Sequence, residues 1–438
     1  MNKLIQKGIS QTEKSLCIYD YTEDGEVNTY TVESGYKIIT KEQFAQLRKN
    51  PNSSTHLLIK KNIKDADISA LSMKKQLKAM MLEASLLKQI TNDKINIYKT
   101  ATPTKTALNM FYEYFNKSGI KQPELITESE SYFIENCFNG ALIYGIPYCG
   151  KGYKYDVCSQ YASILRSEHM NFPMYEGVIE TMTKHDVAKV KFYKYGIYRC
   201  KVINADFRLF RTNVRNVYTH IDLNRALELK YEIQLIEDGK PNALLYEGKL
   251  VNASKLFREY IDYLFQLKKD GYSCVKKYIN VMAGALCKQD IMEINSHQSD
   301  KKNEMLEIFD DKEILSIMPL GNNINSVSQV FETIRKSKRY ETNFARMKPF
   351  LVAKGRYMIS KIIEKNLENV VYCHTDGIVL KKRAKDVIIG SNIGELKFEE
   401  KSKKCEIVNG VTKKGFTKTT VDVIEKLKQQ HNLANKTK

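Results

Sequence analysis

Two aspartates, Asp156 and Asp376, each adjoin a short apolar run with the character of a β-strand. Residues 370–373 form the run before Asp376, and residues 378–380 form a second run just after Gly377. Two such runs joined by a short segment containing Asp-Gly predict a β-hairpin with Asp376 in its turn. Two rigid strands would hold this carboxylate well for a metal site that Asp156 begins. The alternative is an ordinary turn aspartate, chosen for its backbone conformation.

Asp156 is predicted to lie where a strand meets a helix. Residues 153–157 alternate as a strand does, and Ser159 is of a type that caps helices, so a helix carrying Tyr161 should follow. At such a junction a carboxylate can bind a metal ion while backbone N–H groups donate hydrogen bonds to a triphosphate. The ring of Tyr161 can then pack against a sugar. A buried or capping aspartate of any α/β protein is the alternative.

A pair of helices is predicted between the two aspartates. Apolar residues in 256–267 recur at helical spacing, and after Gly271 a second helix is predicted to begin near Val275. Lys276 and Asn280 are four positions apart, so they project from one face of this helix. A solvated lysine-rich face is the alternative. Between two carboxylate motifs, the lysine instead indicates a cation for the phosphates of a nucleoside triphosphate.

The chain is strongly basic, with 70 Lys and Arg against 51 Asp and Glu in 438 residues and a formal net charge of +19. Residues 381–438 hold 15 basic and 7 acidic side chains, a net of +8. This excess favours an anionic partner, although charge alone does not separate DNA from RNA or from an acidic membrane. At ~150 residues per domain, the length suggests roughly two to four globular units.

Cysteine usage and the N-terminus bear on the compartment. The nine cysteines are scattered and have no metal-ligand spacing, so neither a disulfide framework nor a structural zinc site is predicted. Residues 1–7 lack the apolar region of a signal peptide, and nowhere do about 18 apolar residues run together. These features predict a soluble protein of a reducing compartment, cytoplasmic or organellar, with no membrane partner.

The N-terminal part of the chain mixes strand and helix patterns. Residues 16–19 predict a short strand and residues 68–90 predict a helix. A break at residues 102–104, which include a proline, is interpreted as a domain or subdomain boundary. Residues 106–137 again have a helical pattern, which ends before a loop rich in Gly and Pro.

Together the three stretches resemble the family B DNA polymerases, in particular the protein-primed branch found in phages, linear plasmids and self-synthesising transposons. The first stretch is similar to the family motif D-x-x-S-L-Y-P-S, with Gln160 and Ala162 in place of Leu and Pro. The second is similar to K-x-x-x-N-S-x-Y-G through Lys276, Asn280 and Gly284.

The third stretch resembles the family motif Y-x-D-T-D. Tyr372, Thr375 and Asp376 match it, and His374 stands in place of the first Asp. In this family the second Asp is the principal metal carboxylate, so the substitution leaves that ligand in place.

Weaker likenesses extend the resemblance over residues 106–418. Residues 138–141 are similar to the Y-x-G-G/A element that guides template, and residues 350–363 resemble the palm helix that precedes the third motif. Lys397 and then residues 414–416 resemble the primer-gripping K-x-Y region, with Phe for Tyr.

The resemblance implies an α+β fold, the open right hand of polymerases. An antiparallel palm sheet, helical fingers and a small thumb would accompany an N-terminal α/β region. The implied domains are an N-terminal region (1–105), a template-guiding connector (106–150), palm with an inserted region (151–251), fingers (252–289), an inserted subdomain (290–340), palm (341–395) and thumb (396–438).

The resemblance also implies template-directed addition of dNTPs to a primer 3′-hydroxyl, or to a protein-primed end, by two-metal phosphoryl transfer. Asp156 and Asp376 would be the catalytic carboxylates, and with the Val157 carbonyl they would bind two Mg²⁺ ions, with Mn²⁺ as an alternative. The implied nucleotide-binding residues are Ser159, Gln160, Tyr161, Lys268, Lys276 and Asn280. The implied DNA-binding residues are Phe138, Gly140, Ala141, Tyr372, Thr375, Lys397, Lys414 and Phe416.

Primer-template DNA and dNTPs are the implied partners, with a terminal priming protein and a separate exonuclease subunit as further ones. A proofreading domain in this family begins with a D-x-E motif, and only Asp24-Gly25-Glu26 fits it, in a polar stretch without convincing partner motifs. The 3′–5′ exonuclease is therefore predicted to be absent or degenerate.

Two other functions stay open at the level of sequence. One is a catalytically inactive, polymerase-like protein that binds primer-template, which the departures from the motifs at Val281, Ala283 and His374 favour. The other is an unrelated basic nucleic-acid-binding protein. The positive charge favours that class, but it leaves the paired aspartates unexplained.

Overall fold

The chain divides into two compact units, one of residues 1–117, 259–285 and 419–438, the other of residues 118–258 and 286–418. Within the part that the structure describes, no helix is both long and apolar enough to cross a membrane. The residues described in this computed structural model are 5–9, 16–21, 26–31, 35–40, 55–58, 79, 82–100, 102–187, 190–248, 250–295, 311–319, 329–417 and 423–436.

Helices occur in both units. Those described are a stretch at 82–90, a turn at Ile97–Thr100, α1 (Pro103–Lys117), α2 (Glu128–Cys137), α3 (Gln160–Arg166), a turn at Lys184–Val187, α4 (His220–Glu228), α5 (Ala253–Lys269), α6 (Lys276–Leu286), α7 (Lys348–Glu364) and α8 (Val423–Lys436), with 3₁₀ turns at Ser273–Val275 and Asn343–Met347.

Strands likewise occur in both units. Those described are β1 (Ile5–Ile9), β2 (Leu16–Tyr21), β3 (Glu26–Thr31), β4 (Gly35–Thr40), β5 (Thr55–Leu58), β6 (Ile143–Gly145), β7 (Tyr148–Val157), β8 (Asn171–Pro173), β9 (Val178–Glu180), β10 (Gly196–Ile203), β11 (Val217–Thr219), β12 (Glu232–Leu235), β13 (Ala243–Leu245), β14 (Leu250–Asn252), β15 (Ile291–Asn295), β16 (Lys312–Pro319), β17 (Gln329–Arg335), β18 (Val370–His374), β19 (Gly377–Leu380), β20 (Leu396–Ile407) and β21 (Lys413–Lys414).

The first unit contains a five-stranded antiparallel sheet in the order β4-β3-β2-β1-β5. The strand predicted at 16–19 is confirmed as part of β2. Of the predicted D-x-E motif, Glu26 begins β3, whereas Asp24 and Gly25 lie outside the described residues. The helix predicted at 68–90 is described only for residue 79 and residues 82–90.

The continuous helical pattern predicted for residues 106–137 is interrupted in the structure. Helix α1 ends at Lys117, and Gly119 has a φ of 69°, the left-handed conformation with which many helices end. Helix α2 starts only after Thr127, whose side chain accepts a hydrogen bond from the amide of Glu130. Pro123 lies in the gap between the helices, where its ring disfavours helical geometry.

Helices α5 and α6 confirm the predicted helical pair. A 3₁₀ turn ending at Val275 leads directly into α6, which begins at Lys276. The hydroxyl of Tyr260 in α5 donates to the carbonyl of Tyr278 in α6 at 2.8 Å, and both side chains are buried. This contact and the apolar faces of the two helices hold the pair together.

A six-stranded antiparallel sheet in the order β21-β20-β7-β19-β18-β6 dominates the second unit. The predicted hairpin is confirmed as β18 and β19, with His374 opposite Gly377, so that Thr375 and Asp376 form the turn. Strand β7 confirms the run that carries Asp156. The pairing register of the long strand β20 shifts twice against β7. Such irregularities bend a sheet, and this one is curled.

Helix α7 covers one face of this sheet, and it confirms the helix expected at residues 350–363. Tyr155 and Val157 of β7 share a buried core with Ile359 and Ile363 of α7. Because side chains alternate across a strand, Asp156 belongs to the opposite face. Apolar packing against α7 therefore decides which face of the sheet carries the carboxylate.

Three smaller sheets complete the second unit. One has the order β11-β10-β13-β9, with β12 also paired to β10, and another is the pair β14-β8. The third, β15-β17-β16, lies within the stretch predicted as an inserted subdomain, 290–340. Residues 296–310 and 320–328 of that stretch lie outside the described residues.

Candidate active site

Strand β7 presents Asp156 near the end of a central strand. Asp156 lies opposite Gly377 of β19 on one side and opposite Lys397 of β20 on the other. Directly opposed residues point to the same face of a sheet. Asp156 and Lys397 therefore share the face that α7 leaves uncovered, where the lysine is exposed and the aspartate is half-buried.

Asp376 is the second residue of the two-residue turn between β18 and β19. Thr375, the first residue, has a φ of 63°, a left-handed conformation that is unusual for a β-branched side chain. Its amide donates to the carbonyl of Leu142 at 3.0 Å. Such strain persists only where surrounding structure imposes it, and it is frequent at functional sites.

The two aspartates are neighbours across β7 and β19. The amide of Val157 donates to the carbonyl of Asp376 at 2.8 Å. A Cβ atom added at Gly377 would lie 3.4 Å from Oδ1 of Asp156, so this carboxylate rests against the backbone that follows Asp376. Both aspartates are half-buried. The fold thus brings together two carboxylates that are far apart in the chain.

This pair offers the oxygen ligands that Mg²⁺ prefers. Proteins often hold Mg²⁺ by one or two carboxylates, with phosphates and water completing the octahedron. The N–H and C=O of a strand residue face the same neighbouring strand, so the Val157 carbonyl is directed to the side of Asp376. The donor set therefore fits the ion. Among the described residues there is no group of three or more His, Cys, Asp and Glu side chains placed to hold a metal.

The junction after β7 differs from its prediction. Ser159 occupies the N-cap position of α3, but its φ is 51° and its side chain makes no capping hydrogen bond. The backbone of Cys158 instead bonds to the segment before β20. Its amide donates to the Glu395 carbonyl at 2.9 Å, and its carbonyl accepts from the Gly394 amide at 2.7 Å. A distant segment, rather than the predicted serine cap, therefore holds the start of α3.

Gln160 and Tyr161 of α3 both contact α7. The Gln160 side chain is buried, and its Nε2 donates to the carbonyl of Gly355 at 3.1 Å. Tyr161 is half-buried, and burial raises the pKa of its hydroxyl, as does nearby Asp376, whereas Arg356 lowers it. Tyr161 thus lies close to the aspartate pair. Nucleotide contact by Ser159 and Gln160 stays a prediction.

Lys413 packs against Tyr372 of the hairpin that carries Asp376, a contact that sequence reasoning missed. Its Nζ lies 4.2 Å from the centroid of the Tyr372 ring. Burial and the nearby Lys154 lower the pKa of Lys413, whereas carboxylates that include Asp156 and Asp376 raise it. The double lysine at positions 413 and 414 is the signal in the sequence, although only Lys414 matches the K-x-Y pattern.

Lys414 and Phe416 follow Lys413 in the sequence. Lys414 is exposed and pairs loosely with Glu406, with Nζ and Oε2 3.7 Å apart. Phe416 is half-buried against a core that includes Tyr372 and Val379. Lys414 is therefore accessible to a partner, whereas the ring of Phe416 packs against the sheet.

The segment expected to guide template, residues 138–141, follows α2. Phe138 is exposed, and Nζ of Lys348 lies 4.1 Å from the centroid of its ring. Gly140 has a φ of 63°, so a residue without a side chain suits this turn. The segment therefore presents an aromatic ring and a lysine together at the surface.

Two arginines hold this segment by its main chain. Arg356 donates to the carbonyl of Gly140, and Arg211 donates to the carbonyl of Ala141. Arg356 is buried in a bidentate pair with Asp222, with N–O distances of 2.8 to 3.0 Å. Sequence reasoning missed this network because its hydrogen bonds join residues 70 to 216 positions apart.

Lys268, Lys276 and Asn280 belong to helices α5 and α6. Lys276 and Asn280 are exposed on one face of α6, as their spacing predicted, whereas Tyr278 and Ile279 between them are buried. Lys268 is half-buried, with Nζ 5.0 Å from the centroid of a neighbouring phenylalanine ring. Lys276 and Asn280 lie in the first unit, whereas both aspartates lie in the second.

The sequence that carries these candidate site residues was compared with known protein families. The model of type B DNA polymerases, organellar and viral, matches residues 9–283, which is more than half of the chain. The chain belongs to this polymerase family. The matched residues include Asp156 and Lys276, and the hairpin of Asp376 follows them in the sequence.

Solved structures of phi29 DNA polymerase share the fold. The phi29 DNA polymerase complex with primer-template DNA is 14% identical, with a TM-score of 0.58 over 94% of this chain and 87% of that chain. The ternary complex with incoming nucleotide substrates is 13% identical, with a TM-score of 0.54 over the same shares. The mixed helix-and-sheet fold and the family expected from the motifs are thereby confirmed. No curated protein matches the chain significantly.

Proposed function

We propose that this type B polymerase is an active DNA-directed DNA polymerase, which adds dNTPs to a primer 3′-hydroxyl or a protein-primed end and replicates a viral, plasmid or transposon-like element. The observation that carries the proposal is the adjacency of Asp156, near the end of β7, and Asp376, in the turn that leads into the neighbouring strand β19. Phosphoryl transfer needs little covalent chemistry from a protein and depends on positioning and charge stabilisation. A rigid pair of carboxylates supplies such positioning.

Asp156, Asp376 and the Val157 carbonyl would hold Mg²⁺, which supplies charge neutralisation at the transferred phosphoryl group and activation of the primer hydroxyl. The protein's own side chains would position the substrates. Tyr161, which lies near Asp376, would exclude a ribose 2′-hydroxyl. Lys276 would neutralise the triphosphate, and Asn280 would lie near the nascent base pair.

The DNA would be held mainly through its phosphate backbone, since base pairing to the template determines sequence. Lys397, Lys413 and Lys414 would contact the primer side, and residues 138–141 would guide the template strand. The phi29 structures contain primer-template DNA and, in one case, incoming nucleotides. They support DNA and dNTPs as partners of this chain as well.

The finer architecture belongs to the same proposal. Strands β6, β7, β18 and β19 with α7 would form the palm, and α5 and α6 would form the fingers. The chain from residue 396 onward, whose strands β20 and β21 extend the same sheet, would form the thumb. The three-stranded sheet within 290–340 would be an inserted subdomain. Each of these assignments follows the likeness to polymerase motifs.

Primer extension tests the proposal. The parent protein is expected to extend a primed template with dNTPs and Mg²⁺. Asp376→Asn is expected to lower the rate by about 10³-fold or more, because several kcal/mol of charge stabilisation at the metal site would be lost. The change conserves shape, so its effect is expected on chemistry rather than on folding.

Asp386→Asn provides a matched control. Asp386 is an exposed aspartate with a φ of 55°, a conformation that asparagine also tolerates. This variant is expected to extend primers at the parental rate. Parent protein that binds primed DNA but never extends it would contradict the proposal and would favour an inactive primer-template binder.

A further inference from the structure

Gly355 lies within the interior of α7, where a glycine weakens a helix relative to alanine. Its backbone is helical, so no turn or left-handed conformation calls for a glycine there. The position therefore needs another explanation. That explanation lies in the side chains that pack against its Cα atom.

Two residues of α3 lie beside the position that a Cβ atom at Gly355 would take, and one of them, Tyr161, crowds it. A Cβ atom added there would lie 3.0 Å from Cε1 of Tyr161 and 3.4 Å from Oε1 of Gln160. The contact with Tyr161 is short enough to require a neighbour to move by a few tenths of an ångström, because core atoms are closely packed, whereas the distance to Gln160 is an ordinary van der Waals contact. Gln160 is also tied to this site, since its Nε2 donates to the Gly355 carbonyl.

Helix α7 itself has little freedom to retreat. The next residue, Arg356, is bound to the carboxylate of Asp222 and to the carbonyl of Gly140. Ala353 and Ile359, on either side in the helix, are fully buried. Tyr161, in contrast, is only half-buried. Crowding at position 355 is therefore expected to displace the tyrosine ring toward its open side.

We infer that Gly355 is a specificity-determining position. It determines how far the Tyr161 ring extends into the nucleotide site, and therefore how much room is left for the sugar of the incoming nucleotide. The inference rests on the proposed polymerase function and on Tyr161 as the residue beside the sugar. Gly355 acts through Tyr161, so it is a positioning residue and touches no substrate.

Gly355→Ala tests the inference by nucleotide selectivity. Single-nucleotide extension is measured with a dNTP and with the matching rNTP, and the ratio of their kcat/KM values is compared with that of the parent. A ring pushed outward by a few tenths of an ångström is expected to penalise the rNTP more. The ratio should rise roughly three- to tenfold, since small misplacements in an active site have large kinetic effects.

The same substitution in a Tyr161→Ala protein separates an effect on the tyrosine ring from a general loss of active-site structure. In Tyr161→Ala protein there is no ring to displace, so adding Gly355→Ala should leave the ratio unchanged. A ratio that fails to rise in the parent background, or that rises equally in the Tyr161→Ala protein, overturns the inference. A parent protein without any extension activity would instead overturn the proposed function.

Ser360→Ala is a matched control in the same helix. Ser360 is buried, accepts a hydrogen bond from Nε of Arg225 at 2.9 Å and donates to the Leu209 carbonyl at 2.7 Å. Its loss should destabilise α7 without moving the selectivity ratio. A ratio that changes as much in Ser360→Ala as in Gly355→Ala would assign the effect to the helix as a whole and overturn the inference.

If the Gly355→Ala protein does not fold, Gln160→Met replaces it as the test of the inference. Methionine has a similar shape but cannot donate to the Gly355 carbonyl, so α3 would lose one link to α7. The ring of Tyr161 would be held less firmly, and the selectivity ratio is expected to fall. An unchanged ratio in a folded Gln160→Met protein overturns the inference.

Discussion

Two residues close to the aspartates, Ser159 and Thr375, hold left-handed backbone conformations without being glycine. For most side chains this conformation costs about 1–2 kcal/mol. Asparagine tolerates it better. We expect Thr375→Asn to raise the free energy of unfolding by about 1 kcal/mol, because part of the strain in the turn is relieved. Urea unfolding followed by circular dichroism measures the change.

Thr375→Val is the control for this variant. Valine keeps the branched Cβ and therefore the strain at a φ of 63°. It is expected to bring no gain in stability. Thr375→Asn protein no more stable than Thr375→Val would show that the turn carries no relievable strain.

At the scale of elements, His220 joins α4 to its neighbours. The ring centroid of His220 lies 4.2 Å from that of Tyr195 and 5.6 Å from that of Phe350. The amide of Gly196 donates to Nδ1 at 3.4 Å. Burial lowers the pKa of His220 from 6.5 to about 4. The neutral ring is therefore part of the packed arrangement, and protonation would oppose it.

The sign of the pH effect follows from this lowered pKa. The unfolded chain binds a proton at His220 below pH 6.5, whereas the folded chain does so only near pH 4. The contribution of His220 is complete above pH 6.5 and is lost as the pH falls toward 4. Between pH 6.5 and pH 4 we expect the free energy of unfolding to fall by on the order of 2–3 kcal/mol more in the parent than in His220→Gln. Unfolding free energies that fall equally in both proteins would contradict this.

For the molecule as a whole, the net charge of +19 is expected to make the proposed binding of DNA depend on salt. Each lysine that neutralises a phosphate adds about one unit to the slope of log K against log salt concentration. Lys397→Ala and Lys413→Ala are each expected to reduce this slope by about 1 for primer-template DNA. Fluorescence anisotropy at several salt concentrations measures the slope.

Lys240→Ala is the control for these variants. Lys240 is exposed and lies between β12 and β13, away from the six-stranded sheet in the strand order. Its replacement is expected to leave the slope as it is in the parent. A slope that drops equally in all three variants would mean that charge acts diffusely, without a defined phosphate path at Lys397 and Lys413.

Much of the fold was predictable because local patterns specify local elements. The hairpin around Asp376, the strand before Val157 and the two helices at 253–286 all follow from the periodicity of neighbouring residues. Ser159 shows the limit of such reasoning. Its residue type suits a helix cap, but contacts of Cys158 with residues 394–395 decide the local conformation.

Residue types at short spacing are sufficient to identify the family, the two carboxylates and the elements that carry them. The folded structure was needed to place Asp156 beside the turn of Asp376, Lys413 against the ring of Tyr372 and Gly355 against the ring of Tyr161. Each of these relations joins residues far apart in the chain. Such contacts depend on strand order and on packing against α7, and the periodicity of neighbouring residues does not by itself specify which distant elements meet.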